Sequence, residues 1–427
     1  MVLSLILVLF FATALIGVPL VYALLLATTG TIALLGRSYP FEAITLTFMG
    51  GIEGLHYVAI PLFILAGELV ARGGVGQRLV GVAQGFFAWM PGGLTIVTVM
   101  SCMMFGAVSG SAIACAAAIG TIMIPGMAKH GYPRPFSSAL IATSGTMGVL
   151  VPPSIPLLIY GFIANVSVAN LFIASIIPGV LFALSTCIIA VIIAWHNKWD
   201  ANVQRVDLRA LSVELFKSIP ALLMPIVILG GIYSGVFTPT ESAAVAVVYG
   251  MLICTFVYRD LVWADVPQMI LRSFITSSVI MIVIGATECL AWLLTIERIP
   301  FHLANYISEI SDSKIVFLLL LNVVLILLGI FLEPLPALLI AGPLFIPAAQ
   351  FFGIDLVHLG IVICANLAIG LYTPPVGGTL FVAAKIGQVG MLSISRAIWP
   401  MFLANLVVLL IVTFVEPLSL WLVHLLQ

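Results

Sequence analysis

The sequence predicts an all-α polytopic membrane protein made of two inverted-topology repeats, each with a re-entrant hairpin and a broken transmembrane helix. Three observations predict this. The chain is 63% hydrophobic and 7% charged over 427 residues, with mean hydropathy +1.30. A soluble domain carries roughly 25% charged residues, so no water-soluble fold of this size could cover so much apolar surface. Second, Gly/Pro-rich motifs recur at one spacing: GTIMIPGMAKHGY from Gly120 pairs with GPLFIPAAQFFGI from Gly342, GVLVPPS from Gly148 with GLYTPPV from Gly370, and IIPGVL from Ile176 with IWPMFL from Ile398. Each pair is offset by 222 residues without a gap. Third, the basic residues are placed so that the two copies run in opposite senses across the membrane.

The elements follow in order. An apolar run of roughly 20 residues can span a bilayer, and runs at 2–16, 19–36 and 52–71 make residues 1–71 the first scaffold helices. The first run has no basic leader and reads as a retained membrane segment. Segment 72–91 contains GQRLVGVAQGFFAWM, with apolar residues three and four apart, and reads as an amphipathic arm on the membrane surface. The run 94–128 has Arg72 and Arg78 before it and Lys129 and Arg134 after it. With both flanks cytoplasmic it cannot cross once, so it enters and returns as a hairpin. A broken helix at 136–163 follows, and residues 92–195 form the transport elements of the first repeat. The polar segment 196–217 reads as a cytoplasmic linker. The pattern then repeats as scaffold helices 218–297, an arm at 298–313, and transport elements 314–427 with hairpin 314–350 and broken helix 358–384. All of the 15 basic residues except Arg37, Arg298 and Lys314 then lie on the cytoplasmic side, with the N-terminus outside.

The residue content excludes several chemistries. Cys102, Cys115, Cys187, Cys254, Cys289 and Cys364 sit singly in apolar runs and read as packing residues. There is no H-E-x-x-H and no Walker loop, and Ser109–Ser111 lacks a placed histidine or carboxylate partner. The chain does not read as an enzyme. Net charge of −1 identifies no partner, and no nucleic acid is expected.

Four interruptions remain: FGAVSGSAI (105–113), TSGTMGVLVPPS (143–154), LGIFLEPLPA (328–337) and CANLAIGLYTPPVGGT (364–379). Proline removes a backbone donor and glycine weakens a helix. Non-helical backbone at membrane depth is tolerated only where protein buries it or water bathes it. Such breaks also occur as packing kinks, but four breaks in two symmetric pairs point to a site. Freed carbonyls with a few hydroxyls suit a small hard cation such as Na⁺, and half-helix N-termini favour an anion. Glu333 lies at the second hairpin tip, opposite Ser111 by the same offset. It could bind a cation, carry a proton or cap a helix. Glu68, Glu241 and Glu288 read as structural pairing or capping residues, and His56 as structural.

The motifs FGAVSGSA, IPGMAKHGYP, ATSGTMGVLVPPS, GVFTPTESAAVA and GLYTPPVGG together resemble the large membrane subunit of TRAP (tripartite ATP-independent periplasmic) transporters, over essentially the whole chain. The wider resemblance is to the elevator-type ion transporter fold. It implies a small four-helix membrane subunit as partner and a periplasmic substrate-binding protein that delivers the substrate. It also implies Na⁺-driven import of an organic acid, of the C4-dicarboxylate or sialic acid class, across a bacterial or archaeal inner membrane. Carried onto this chain, a first Na⁺ site falls on Ser111, Gly148, Val151 and Pro153, with Gly106 as a weaker member that has no hydroxyl to contribute. A second falls on Gly329, Gly370, Thr373 and Val376. Ser109, Ser144, Thr146, Asn366 and Thr379 are donors in reach of a substrate between them. The alternative is a stand-alone Na⁺- or H⁺-driven carboxylate transporter that uses Glu333 and needs no binding protein.

Overall fold

The computed structural model describes residues 2–35, 39–199, 208–302, 305 and 313–426, and all regular structure among them is helical. The first repeat opens with α1 (Val2–Leu15), α2 (Leu20–Leu34) and α3 (Phe41–Gly50). A 3₁₀ turn at Leu55–Val58 then leads into α4 (Ala59–Arg72), followed by α5 (Val75–Phe87). Its hairpin is α6 (Gly93–Ser109) and α7 (Ala112–Lys129). The broken segment is α8 (Arg134–Gly145), α9 (Met147–Leu150) and α10 (Ile155–Ala164), and α11 (Val168–His196) closes the repeat. The second repeat runs α12 (Leu208–Tyr233), α13 (Pro239–Leu252) and α14 (Val266–Ile296). Then come hairpin α15 (Lys314–Phe331) and α16 (Pro334–Phe351), broken segment α17 (Leu356–Gly370) and α18 (Gly378–Gly387), and finally α19 (Met391–Phe414) and α20 (Pro417–Leu426). Among the described residues, ten helical stretches are long and apolar enough to cross a membrane.

Some boundaries differ from the sequence expectation for identifiable reasons. The 52–71 run is preceded by a separate helix, α3, which starts after Pro40 and stops at Gly51. The terminal run 397–424 divides at Val415–Glu416 because Pro417 begins a new helix rather than continuing the old one. Helix α12 starts at Leu208, inside the expected linker. Residues 200–207 of that linker, and 303, 304 and 306–312 of the expected second arm, lie outside the described residues.

The two broken helices form the centre of the molecule. Every residue from Phe136 to Leu150 is buried, and so is every residue from His358 to Tyr372. The two stretches begin at equivalent positions of the repeat, and the second runs one residue further, to Thr373. Tyr160 of α10 donates its hydroxyl to the Leu356 carbonyl at 2.6 Å, which ties one repeat to the other. The first arm, α5, is amphipathic: Val75, Leu79, Val80 and Ala83 are buried, while Gln77 and Gln84 are exposed. Arg78 fixes it in place. Its Nη1 lies 2.7 Å from Asp260 Oδ2 and 2.8 Å from the Gly74 carbonyl, and its guanidinium sits 3.9 Å above the Tyr258 ring.

Two of the carboxylates expected to be structural make local contacts. Glu241 and Thr238 form a capping box at the start of α13, and Glu68 pairs with Arg72 at 3.4 Å. His56 packs its ring against Tyr57 and Phe162. All six cysteines are free, five of them buried.

Candidate functional site

The site begins with two pairs of prolines. Pro152 and Pro153 have no N–H, so the carbonyls of Gly148 and Val149, four residues earlier, have no helical donor. Pro374 and Pro375 do the same to Gly370 and Leu371, and both Pro–Pro bonds are cis. Each break re-satisfies one of its two freed carbonyls with a hydroxyl. Ser154, the N-cap of α10, donates to the Val149 carbonyl and accepts from the Leu157 N–H at 3.4 Å. Thr379 donates its hydroxyl to the Leu371 carbonyl at 2.9 Å and its N–H to the same oxygen at 3.1 Å. The Gly370 carbonyl accepts from the Thr373 N–H at 3.1 Å. The carbonyls of Gly148, Val151, Pro153, Thr373 and Val376 receive no hydrogen bond among the described residues. These oxygens are free to face a ligand.

The hairpin tips pack directly on these breaks, and glycine makes this possible. A Cβ placed on Gly148 would lie 2.8 Å from the Ser111 carbonyl, and one on Gly106 would lie 2.9 Å from the Gly148 nitrogen. Gly110 turns the tip at φ +61° and approaches the Pro153 carbonyl, 2.9 Å from where its Cβ would stand. In the second repeat a Cβ on Gly370 would lie 2.5 Å from Gly329 Cα. The structure therefore brings together Gly106, Ser111, Gly148 and Pro153 in one half and Gly329 and Gly370 in the other, with Thr373 in the same turn. The hairpin glycines are one residue out of register: the equivalent of Gly106 is Leu328, and that of Gly329 is Ala107. Val151 packs its side chain toward Gly179 of α11, and the Val376 side chain is exposed. Thr373 spends its hydroxyl on the Ile369 carbonyl at 2.7 Å, so only its carbonyl is available.

The two tips meet at one cavity of about 870 Å³. Ser109, Ser111 and Glu333 line it from the tips, Glu68 from α4 and Thr276 from α14. A smaller space of about 80 Å³ lies between the tips themselves, bounded by Gly110, Ser111, Glu333 and Pro334. Ser111 is the N-cap of α7 and accepts from the Ala114 N–H at 3.4 Å. Glu333 holds the equivalent position on α16, but its side chain makes no capping hydrogen bond. Capping therefore drops out of the three roles open to it. No Lys, Arg or His lines the large cavity among the described residues. The donor set is oxygen only, and no group of three His, Cys, Asp or Glu among the described residues could hold a metal. Such a set fits a hard cation and not a soft one.

Of the five expected substrate donors, Ser109 lines this cavity and the other four do not. Ser144, Thr146, Asn366 and Thr379 lie in the packed interior. In an apolar helix bundle a hydroxyl or amide turns to the nearest backbone. Thr146 donates to the Thr143 carbonyl at 2.7 Å, Thr379 holds Leu371, and Asn366 donates to Val362 O and Asn322 Oδ1, both at 2.7 Å. Ser144 and Asn366 are equivalent in the repeat, and each keeps a buried polar atom without a partner, Oγ and Oδ1 respectively. Sequence reasoning missed Ser154, although its place directly after Pro152–Pro153, opening a new helix, is an N-cap signal. It also missed Glu68 as a cavity residue, because it read that side chain as a structural pairing or capping group.

With this geometry in view, comparison with known proteins is decisive. A family model described as the tripartite ATP-independent periplasmic transporter, DctM component, matches residues 7–418. The chain belongs to that family. This DctM-family permease is 41% identical over 367 residues to the C4-dicarboxylate TRAP transporter large permease protein DctM of Pseudomonas aeruginosa, covering 86% of each chain. It is 33% identical over 396 residues to the sialic acid TRAP transporter large permease protein SiaM of Vibrio cholerae, covering 93% of this chain and 92% of that one. It is 36% identical over 409 residues to the isethionate TRAP transporter permease protein DctMQ of Oleidesulfovibrio alaskensis, covering 95% of this chain and 64% of that one. These relatives are all named as transporter permeases. The fold also matches the crystal structure of the Alcanivorax borkumensis YdaH transporter, with a TM-score of 0.64 over 94% of this chain and 99% of that one. At 14% identity that likeness speaks for the fold alone.

Proposed function

We propose that this DctM-family permease imports an organic acid of the C4-dicarboxylate or sialic acid class by Na⁺-coupled secondary transport. A periplasmic binding protein delivers the acid, and a small four-helix membrane subunit pairs with the permease in the bacterial inner membrane. The relatives named for C4-dicarboxylate and sialic acid motivate the substrate class, since both are carboxylic acids. One observation carries the coupling: each break leaves carbonyl oxygens without donors, a hairpin tip packs against each break, and both tips border one cavity. A cation held at Gly148, Val151, Pro153 and Ser111, and another at Gly370, Thr373 and Val376 beside Gly329, would order the two tips. Ordered tips would complete the cavity wall at Ser109 and Ser111, which links ion binding to substrate binding. The hairpins and broken helices would then move as one body against α1–α4 and α12–α14, the elevator mechanism.

The test is uptake by the reconstituted permease, membrane partner and binding protein with Na⁺ replaced by K⁺. Uptake that continues unchanged in K⁺ overturns the coupling. A second reading, a stand-alone H⁺-driven carboxylate transporter, is favoured by the uncapped Glu333 carboxylate at the cavity. It requires uptake by the single chain driven by a pH gradient.

A further inference from the structure

The second break is held by a polar clamp that the first break lacks. Asn405 of α19 is fully buried. Its Nδ2 donates to the Tyr372 hydroxyl at 3.0 Å and to Thr186 Oγ1 at 3.2 Å. Its Oδ1 accepts from the Ser185 hydroxyl and lies 3.3 Å from Thr186 Oγ1. Ser185 and Thr186 belong to α11 of the first repeat, whereas Tyr372 belongs to the break of the second. One carboxamide therefore ties the second break across the repeat boundary. Tyr372 sits between Leu371, whose carbonyl Thr379 holds, and Thr373, whose N–H holds the Gly370 carbonyl. Its ring is buried and meets Phe402 of α19 edge-on, with centroids 6.4 Å apart. The equivalent positions in the first repeat are Leu150 and Ala183, both buried and apolar.

A buried amide with all its polar atoms satisfied fixes geometry more sharply than apolar packing does, because any shift leaves a donor unpaired. We infer that Asn405 is a positioning residue for the second cation site. Through the Tyr372 hydroxyl it sets where the Gly370 and Thr373 carbonyls stand. The two cation sites are then unequal: the second depends on a cross-repeat hydrogen bond and the first does not. This inference rests on the cation-site reading above.

The experiment uses the permease in complex with its membrane partner, and the variants Tyr372→Phe and Asn405→Leu. Thermal unfolding is followed in NaCl and in KCl, and uptake is measured against Na⁺ concentration in proteoliposomes. Tyr372→Phe removes one oxygen and keeps the ring. It should raise the half-saturating Na⁺ concentration by about three- to tenfold, the range one buried hydrogen bond supports, and maximal uptake should recover at high Na⁺. The Na⁺-dependent gain in Tm should shrink, beyond the loss common to both salts that the unpaired Asn405 N–H causes. Asn405→Leu should act in the same direction, and where it fails to accumulate in the membrane the Tyr372→Phe result decides. An equal loss of Tm in both salts with an unchanged Na⁺ half-saturation would overturn the inference, since Asn405 would then only pack. A wild-type complex indifferent to Na⁺ in both measurements would instead overturn the cation-site reading, and this inference with it.

Discussion

Ser111 and Glu333 occupy the same position in the two repeats, each immediately before the second helix of its hairpin, and both line one cavity. The pair is symmetric in place and unequal in chemistry, because Ser111 caps its helix while the Glu333 carboxylate is left facing the cavity. Removing the Glu333 charge should therefore do more than removing the Ser111 hydroxyl. A bond to a charged group contributes about 1.5–3 kcal/mol, tenfold or more in an equilibrium constant, whereas an N-cap serine contributes about 1 kcal/mol. With Glu333 taken as a carboxylate ligand that completes the second cation site, Glu333→Gln is expected to raise the half-saturating Na⁺ concentration for uptake at least tenfold, and Ser111→Ala by only a fewfold. Na⁺ titration of uptake in proteoliposomes measures both, and equal effects would remove the special role given to Glu333.

The glycine contacts make a sharper structural prediction. Alanine at position 148 places a methyl 2.8 Å from the Ser111 carbonyl, and alanine at 370 places one 2.5 Å from Gly329 Cα. Both neighbours are backbone and cannot rotate away, so the tips must lift off the breaks, at a cost of about 1–3 kcal/mol for such overpacking. Gly148→Ala and Gly370→Ala should each abolish Na⁺-driven uptake, with Gly370→Ala losing more thermal stability. By contrast Gly131→Ala and Gly390→Ala, where nothing lies within 4 Å of the added methyl, should cost little; at Gly131 a positive φ adds modest strain. Wild-type uptake in Gly370→Ala would mean that the tip does not rest on the break.

Much of this was legible in the sequence because it is written in glycine and proline. The 222-residue offset located both breaks and both tips, since these residues act on the backbone wherever they stand. Hydroxyl and amide side chains were less legible. Ser144, Thr146, Asn366 and Thr379 have the composition of ligand donors, but whether a hydroxyl faces a cavity or its own backbone depends on rotamer and on neighbouring helices. The Asn405 clamp was invisible for the same reason: its partners lie on two other elements, one of them in the other repeat. The one-residue slip between Gly106 and Gly329 also escaped, because an offset that aligns the breaks says nothing about rotation of the facing hairpin helix.

Ser154 and Thr379 allow the two breaks to be compared through their hydroxyls. Ser154→Ala leaves the Val149 carbonyl buried with no donor, a cost of about 1–3 kcal/mol. In Thr379→Val the Leu371 carbonyl keeps the backbone N–H of the same residue, so the cost should fall at or below the lower end of that range. Thermal unfolding of the two variants in NaCl should rank Ser154→Ala as the less stable. The reverse order would show that the serine hydroxyl is replaceable, for instance by water entering the first break.

The α5 arm tests how motion is transmitted. Arg78 joins it to Asp260 and Tyr258, and Ser218 of α12 donates to the Arg78 carbonyl at 3.2 Å. The Asp260 side chain is 41% exposed, so the ion pair itself contributes at most about 1 kcal/mol, and the stacked guanidinium adds about 0.5–1 kcal/mol. Lysine keeps the charge but loses the planar fork and the stacking. Arg78→Lys and Asp260→Asn should therefore lower Tm by only a few degrees, and a double-mutant cycle pairing Arg78→Gln with Asp260→Asn should return a coupling of at most about 1 kcal/mol. Because no residue of α5 lines the cavity, half-saturation by Na⁺ and by substrate should stay at the wild-type values while maximal uptake falls. If α5 is an arm between static and moving bodies, loosening its anchor slows the movement without altering what either site binds. A change in either half-saturation value, with maximal uptake preserved, would place α5 in the binding machinery and remove its role as a mechanical link.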